Sequence, residues 1–209
     1  MNLMATAAFI LVAYLIGSLS FAVIVSRALG LPDPHNYGSG NPGATNVLRT
    51  GRKLAALLTL VGDAGKGWLA VILAARYAAE YDVEAAGVAA CAVAVFLGHL
   101  FPVFFCFKGG KGVSVAGGIL LAIQPWLGVA TLVTWIIVAL LFRYSSLAAI
   151  VAAVFAPLYA FFMSLLGFDL WPMLPGVILM SALLVWRHKS NILNLAAGKE
   201  GRIGTKQDQ

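Results

Sequence analysis

The sequence predicts an all-α polytopic membrane protein with about seven transmembrane helices and a short fourth span. Of its 209 residues, 61% are hydrophobic and only 11% are charged, whereas a soluble domain carries about a quarter charged residues. The mean hydropathy is +0.93. The apolar residues also form separate runs, most of them near the roughly 20 residues that a helix needs to cross a bilayer.

The predicted helices follow these runs in order. They cover residues 4–29, 54–75, 85–107, 113–123, 126–142, 145–166 and 170–186. At about 1.5 Å per residue, the fourth is too short for a core of about 30 Å, so it either spans a thinned region or is buried among its neighbours. Asp63 and Lys66 lie three residues apart on the second helix and are expected to pair. Pro157 is expected to kink the sixth.

The first run has no basic region before it and is longer than the apolar part of a signal peptide, which predicts a retained span. Cys91 and Cys106 fall on one predicted helix, roughly 22 Å apart, and cannot form a disulfide within it. Without a CxxC motif or a nearby histidine pair, we expect no metal site.

The charges predict the orientation of the chain. With seven helices and the N-terminus outside, one side of the membrane receives Arg27, Arg49, Arg52, Lys53, Lys108, Lys111, Arg143, Arg187, Lys189, Lys199, Arg202 and Lys206. The other side receives Glu80, Asp82, Glu84, Asp169 and the cation Arg76. The basic side is cytoplasmic by the positive-inside rule, and so is the C-terminus. The net charge of +6 is therefore explained without nucleic acid, for which no basic domain or aromatic-interleaved patch is present.

Three polar motifs interrupt the apolar sequence on this cytoplasmic side. The first covers residues 38–49, and its candidate donors are Ser39, Asn41, Thr45, Asn46 and Arg49. Asn46 and Arg49 are three residues apart and would share a face if a helix starts here. The motif is either a loop and helix N-terminus that holds phosphate or an ordinary turn capped by Thr45 or Asn46.

The second motif covers residues 107–113 and contains Lys108, Gly109, Gly110, Lys111 and Gly112. It is not a Walker A loop, because that pattern needs serine or threonine after its lysine. Nucleotide hydrolysis is therefore not indicated. The lysines could simply anchor a span at the interface, but anchoring needs no glycine, so the glycines favour a loop whose backbone approaches a phosphate.

The third motif covers residues 187–200 and begins Arg187-His188-Lys189-Ser190-Asn191 at the end of the seventh helix. His188 and Asn191 would share a helical face. The alternative is an interfacial cap with a structural histidine, and His99 is also interpreted as structural. The chain is predicted to be a single transmembrane domain, residues 1–209, whose last ten residues form a short polar tail.

Together the motifs resemble the acyl-phosphate:glycerol-3-phosphate acyltransferase family, the PlsY-type membrane enzymes of bacteria. The resemblance rests on residues 38–46 with Arg49, on 98–102 followed by 107–113, and on 187–191 with Gly198 and Glu200. Asp63 and Lys66 also fit the second span of the family. The resemblance covers nearly the whole chain in length and segment order.

The resemblance implies transfer of an acyl group from acyl phosphate to the sn-1 hydroxyl of glycerol 3-phosphate, giving lysophosphatidic acid. It implies no cofactor and a multi-pass protein of the bacterial plasma (inner) membrane, with its active site facing the cytoplasm. The implied partners are glycerol 3-phosphate, acyl phosphate, membrane lipid and the enzyme that makes acyl phosphate. No His-x-x-x-x-Asp motif is present, which separates this chain from the other glycerol-phosphate acyltransferases.

The resemblance also implies residue roles. Ser39, His188 and Lys111 are the candidate catalytic residues, with Lys108 as the second choice of lysine. The candidate substrate- or phosphate-binding residues are Arg49, Asn41, Thr45, Asn46, Lys108, Gly109, Gly110, Gly112 and Asn191. The general base stays open between His188 and the phosphate group of the donor itself.

Two other classes of protein compete with an enzyme. A transporter of an organic phosphate would carry its cations near the bilayer midplane on broken helices, usually with inverted repeats. Here the motif cations lie at the ends of spans, and no internal repeat is visible. A structural scaffold would leave the glycines unexplained. The enzyme is therefore the favoured interpretation.

Overall fold

The computed structural model describes residues 2–203, which contain α-helices and no β-strand. The helices are α1 (Leu3–Gly17), α2 (Phe21–Ala28), α3 (Ala44–Leu48), α4 (Lys53–Ala78), α5 (Ala85–Leu100), α6 (Val113–Ile123), α7 (Pro125–Phe142), α8 (Ser145–Leu165), α9 (Leu174–Arg187) and α10 (Lys189–Ala196). The all-helical class is thereby confirmed. The helices group into two compact units, one ending at Pro125 and the other beginning at Trp126. The single domain stays a prediction.

The described helices include four candidate membrane spans by length and composition. They are α4, the segment Ala85–Phe105 that begins with α5, α7 and α8. Helices α1 and α2 pass the same test together, with a bend of 42° between them, and would make a fifth span. Helices α6 and α9 are apolar but shorter. The predicted number of seven spans therefore stays a prediction.

Glycines allow the helices of the first unit to pack closely. Helix α4 packs against α5 and α6, and α1 packs against α5. A Cβ on Gly67 of α4 would lie 2.6 Å from the carbonyl oxygen of Val115 on α6, and one on Gly118 would overlap the carbonyl of Ala64. Small residues let helix backbones approach in this way in membrane proteins, where dispersion contacts drive helix association.

The first predicted helix is broken in the structure, and a buried charge pair accounts for the break. Helix α1 ends at Gly17, so the carbonyl of Leu19 lies outside a helix. The Lys66 ammonium on α4 donates a hydrogen bond to that carbonyl. The same Nζ lies 2.9 Å from Oδ1 of Asp63, and both side chains are 2% exposed, which confirms the predicted pair. An unsatisfied carbonyl in an apolar environment costs several kcal/mol, so Lys66 stabilises the broken backbone.

The third predicted helix, residues 85–107, is wrong beyond Leu100. Pro102 has no N–H group for a helical hydrogen bond, and the chain turns back so that the N–H of Phe107 donates to the carbonyl of Pro102 at 3.0 Å. Cys106 has φ 51°, in the left-handed region. Cys91 and Cys106 therefore do not share one helix, contrary to the prediction; Cys91 is buried and Cys106 is exposed.

The second unit is built around α8, which packs against α9. The buried face of α8 is made of small side chains: Ser146, Ala148, Ala149, Ala152, Ala153, Ala156, Ala160 and Ser164. Between α7 and α8, the hydroxyls of Thr134 and Tyr159 share a hydrogen bond of 2.8 Å. Pro157 lies inside α8, which continues to Leu165, and the predicted kink stays a prediction.

Residues 200–203, the start of the predicted polar tail, are anchored to the junction of α7 and α8. The N–H of Ile203 donates to the carbonyl of Arg143 at 2.6 Å, and Nη2 of Arg143 donates to the carbonyl of Ile203 at 3.0 Å. Nε of Arg202 donates to the Tyr144 hydroxyl at 3.1 Å. The rest of the predicted tail, with Lys206, lies outside the described residues.

Candidate active site

The first motif is organised by the buried side chain of Asn46. Its Oδ1 accepts from the N–H of Ser39 at 2.9 Å. Its Nδ2 donates to the carbonyls of Pro34 at 2.9 Å and Tyr37 at 3.2 Å. Asn46 is 2% exposed. Both N–H groups of the amide are therefore used inside the loop, and the substrate contact predicted for Asn46 stays a prediction.

A short helix follows this loop, as the phosphate-loop interpretation requires. Helix α3 begins after Gly43, which takes the N-cap position. The alternative of a turn capped by Thr45 or Asn46 is therefore wrong, since both residues lie within the helix. Thr45 is exposed and Asn41 is half-buried.

Arg49 lies against Gly38 at the open side of the loop. Gly38 has φ +58°, and a Cβ there would overlap Oδ1 of Asn46 and lie 3.2 Å from Nη1 of Arg49. The left-handed backbone and this crowding both require glycine. Ser39 and Arg49 are exposed. The loop thus exposes a hydroxyl and a guanidinium, a donor set suited to phosphate oxygens.

The glycines of the second motif pack against the end of α5. A Cβ on Gly109 would overlap the carbonyl of His99, and one on Gly110 would overlap the His99 ring. The N–H of Gly110 donates to the His99 carbonyl at 3.1 Å. Gly112, at φ +91°, lies against the Phe96 ring just before α6. Close packing therefore explains these glycines independently of any ligand, while Lys108 is exposed and Lys111 half-buried.

Beneath this loop lies a buried polar cluster. Nδ1 of His99 lies 3.5 Å from Oδ1 of Asp63, and the His99 side chain is 7% exposed. His99 thus joins the Asp63–Lys66 pair to the backbone of the glycine-rich loop, which agrees with its interpretation as a structural residue.

His35 links the first motif to the second. Its backbone N–H and Nδ1 contact Oδ1 of Asp33 at 2.9 and 2.7 Å, and its Nε2 lies 3.0 Å from the carbonyl of Lys108. The hydrogen bond from the His35 backbone, helped by the His35 ring, lowers the pKa of Asp33. A carboxyl group with a lowered pKa stabilises the fold at neutral pH, and this contribution is lost only as the pH falls below the ordinary aspartate range.

The third motif forms its own network in the second unit. His188 lies between α9 and α10 and is 3% exposed. Its Nδ1 donates to the carbonyl of Leu184 at 2.8 Å, which places a proton on that nitrogen. Asn191 donates to Oε1 of Glu200 at 2.7 Å, and the Ser146 hydroxyl donates to the same oxygen at 2.5 Å. Glu200 therefore orients the Asn191 amide.

Comparisons with known proteins identify the family. The family model described as glycerol-3-phosphate acyltransferase matches residues 7–198. The chain belongs to this family. A glycerol-3-phosphate acyltransferase of Cupriavidus necator is 62% identical over 204 residues, covering 98% of this chain and 99% of the relative. That of Ralstonia nicotianae is 61% identical over 206 residues, covering 99% and 98%.

Two solved structures have the same fold. The crystal structure of PlsY (YgiH), an integral membrane glycerol 3-phosphate acyltransferase, in its glycerol 3-phosphate form gives a TM-score of 0.86 at 35% identity and covers 96% of each chain. The lysophosphatidic acid form of that protein gives 0.85 at 34% identity, with the same coverage. This chain is accordingly an integral membrane acyltransferase.

The structure also shows residues that contact the motifs and that the sequence did not single out. His35 and Ser146 are the clearest cases, because each contacts a motif from a distant part of the chain. Asp33 and His35 form an Asp-x-His pattern three residues before Gly38, which was a usable signal. Among residues 2–203, no group of three or more His, Cys, Asp or Glu side chains is placed to hold a metal ion.

Proposed function

We propose that this chain transfers an acyl group from acyl phosphate to the sn-1 hydroxyl of glycerol 3-phosphate. The bond between the acyl carbon and the phosphate oxygen breaks and an ester bond forms, so the products are lysophosphatidic acid and inorganic phosphate. The observation that carries the proposal is the link between two cationic loops, 38–49 and 107–113. His35, just before the first loop, contacts the Lys108 carbonyl, and Asn46 of the first loop holds the neighbouring Pro34 carbonyl. Both substrates of the reaction carry phosphate groups, which such loops suit.

The two loops supply charge and hydrogen-bond donors. Arg49, Lys108 and Lys111 neutralise the phosphates, with Lys111 as the candidate catalytic lysine. Ser39, Asn41 and Thr45 add donors to phosphate or glycerol oxygens, while Asn46 shapes the loop. Phosphate is a good leaving group, so positioning and charge neutralisation supply most of the catalysis. Within residues 2–203, no base is hydrogen-bonded to Ser39, which favours a substrate hydrogen bond over an acyl-enzyme.

The loop glycines set how closely the second motif can approach its ligand. We expect Gly109→Ala to lower kcat/KM about tenfold to a hundredfold, because a displacement of about 1 Å can cost this much. The added methyl group would overlap the His99 carbonyl and push the loop outward. Gly117→Ala is the matched control, since a Cβ there meets nothing within 4 Å. Equal activities of Gly109→Ala and Gly117→Ala would show that the close packing of Gly109 does not affect how the loop binds its ligand.

The proton of the glycerol hydroxyl passes either to the departing phosphate or to His188. Since Nδ1 of His188 donates to the Leu184 carbonyl, Nε2 is the ring nitrogen that could accept a proton. If the departing phosphate takes the proton, His188→Gln should retain kcat within about tenfold and raise KM, whereas loss of a general base would lower kcat about a hundredfold or more. We expect the first result. A loss of kcat above about a hundredfold, measured at saturating substrate, would instead assign the base to His188.

The charge distribution supports a cytoplasmic active site. Seven spans with the N-terminus outside would place the motif cations in the cytoplasm of a bacterial inner membrane. In that orientation the acyl tail enters from the bilayer and glycerol 3-phosphate from water. The partners are these two substrates, membrane lipid and the enzyme that supplies acyl phosphate. Labelling of single cysteines introduced at Lys53 and Asp82 in sealed vesicles tests the orientation, because the two positions should react from opposite sides.

The experiment that tests the function uses the purified, detergent-solubilised protein. It is supplied with labelled glycerol 3-phosphate and palmitoyl phosphate, and lysophosphatidic acid is separated and counted. Formation of this product in proportion to enzyme concentration is the expected result. Its absence from a protein that still binds glycerol 3-phosphate would overturn the proposal.

A further inference from the structure

Segment 33–35 lies between α2 and the first motif and contacts the second motif, which is 73 residues further along the chain. The contact is made by His35, whose side chain is 22% exposed, beside Asp33 at 36%. Neither residue belongs to the three motifs described from the sequence.

Both ring nitrogens of His35 face hydrogen-bond acceptors. Nδ1 lies 2.7 Å from the Asp33 carboxylate, and Nε2 lies 3.0 Å from the Lys108 carbonyl. A carbonyl oxygen and an ionised carboxylate can only accept. The ring makes both bonds at once when both nitrogens carry protons, and the resulting positive charge is balanced by Asp33. The bond to Lys108 is then charge-assisted and stronger than a neutral one.

The position of His35 is coupled to the donors of the first motif. The carbonyls of Pro34 and Tyr37, on either side of His35 and Asn36, both accept from Nδ2 of Asn46. Oδ1 of the same Asn46 accepts from the N–H of Ser39. Hydrogen bonds, together with the peptide bond between Pro34 and His35, therefore connect the Lys108 carbonyl to Asn46 and through it to Ser39. Loss of the contact between His35 and the Lys108 carbonyl would therefore let the distance between the two loops change.

We propose that His35 is a positioning residue for acyl transfer, which holds the loop of Lys108 and Lys111 at a set distance from Ser39 and Arg49. This inference rests on the proposed function. Glycerol 3-phosphate is the substrate that depends on it most, because it has no acyl tail to bind in the bilayer and is held through polar contacts alone. His35 itself acts through the loops and takes no part in the chemical step.

Two amide substitutions separate the two bonds of the ring. Glutamine places its Nε2 near the position of the histidine Nε2 and can still donate to the Lys108 carbonyl. Asparagine reaches only as far as Nδ1 and loses that bond. We expect His35→Asn to raise KM for glycerol 3-phosphate about tenfold, the cost of one charge-assisted hydrogen bond, with kcat changed less than about threefold. His35→Gln should stay within about threefold of the parent in both constants.

The controls make the outcome decisive. Asn36→Ala, an exposed neighbour, should match the parent. The thermal midpoint of each variant reports whether it is folded. If His35→Asn is not recovered folded, Asp33→Ala replaces it as the test. A raised KM for glycerol 3-phosphate in Asp33→Ala supports the proposal, and an unchanged KM overturns it. Equal kinetics of the Asn and Gln variants, whether both impaired or both normal, would also overturn it. If the parent protein makes no lysophosphatidic acid, the proposed function has failed rather than this inference.

Discussion

Replacement of Arg49 by alanine should lower kcat/KM for glycerol 3-phosphate by about a hundredfold to a thousandfold, the usual loss for one donor that stabilises charge in a transition state. The guanidinium lies against Gly38, beside the exposed Ser39. It can form paired hydrogen bonds to a phosphate group, which a lysine ammonium cannot reproduce in the same geometry. Arg49→Lys should therefore recover only part of the activity.

The matched control for Arg49 is Arg52→Ala. Arg52 is also exposed and lies three residues further on, at the N-cap position before α4. Its removal takes away the same charge from the same surface, without touching Gly38 or Ser39. Initial rates at varied glycerol 3-phosphate separate KM from kcat. If the two alanine variants lose activity equally, Arg49 acts only through the overall positive charge of this face.

Replacement of Asp63 by alanine should destabilise the protein by about 3–5 kcal/mol, because it leaves the Lys66 ammonium buried without its counter-ion. Both side chains are 2% exposed. Lys66 also holds the Leu19 carbonyl at the break between α1 and α2, and Asp63 contacts His99 below the glycine-rich loop. The thermal midpoint in detergent should therefore fall, and activity should fall with it.

Two further variants test this account of the buried pair. Asp63→Leu combined with Lys66→Gln removes both charges but keeps an amide donor for the Leu19 carbonyl. It should recover part of the loss in thermal midpoint, since no unpaired buried ion is left. Lys53→Met, an exposed lysine at the start of the same helix, should leave the midpoint unchanged. A double variant less stable than Asp63→Ala alone would show that the pair contributes more than charge balance.

Apolar periodicity and charge were enough to predict most helices of the fold. The apolar run 113–123, for example, coincides with α6 (Val113–Ile123), because a helix in apolar surroundings begins and ends with its apolar residues. The pairing of Asp63 with Lys66 was also predictable from their spacing. The break between α1 and α2 was not predictable, because the apolar run continues through it. The Leu19 carbonyl at the break is stabilised by Lys66, which lies 47 residues away in the sequence.

The site was predictable as three motifs but not as a set of contacts. The glycines at 109 and 110 indicated an approach of the backbone to a phosphate, yet they also fit against His99, a contact that depends on tertiary packing. The Asp-x-His pattern could have marked His35 as a candidate, but its contact with the Lys108 carbonyl depends on the fold. Anion-binding residue types can be read from sequence, whereas the groups that space them apart depend on the fold.

The most direct test of acyl transfer from acyl phosphate measures both products in one reaction. Purified protein is given glycerol 3-phosphate with palmitoyl phosphate, and separately with palmitoyl-CoA, while lysophosphatidic acid and the released phosphate or CoA are quantified over time. We expect lysophosphatidic acid and inorganic phosphate in equal amounts from palmitoyl phosphate, and no product from palmitoyl-CoA. Efficient transfer from palmitoyl-CoA, or phosphate release without lysophosphatidic acid, would contradict the account.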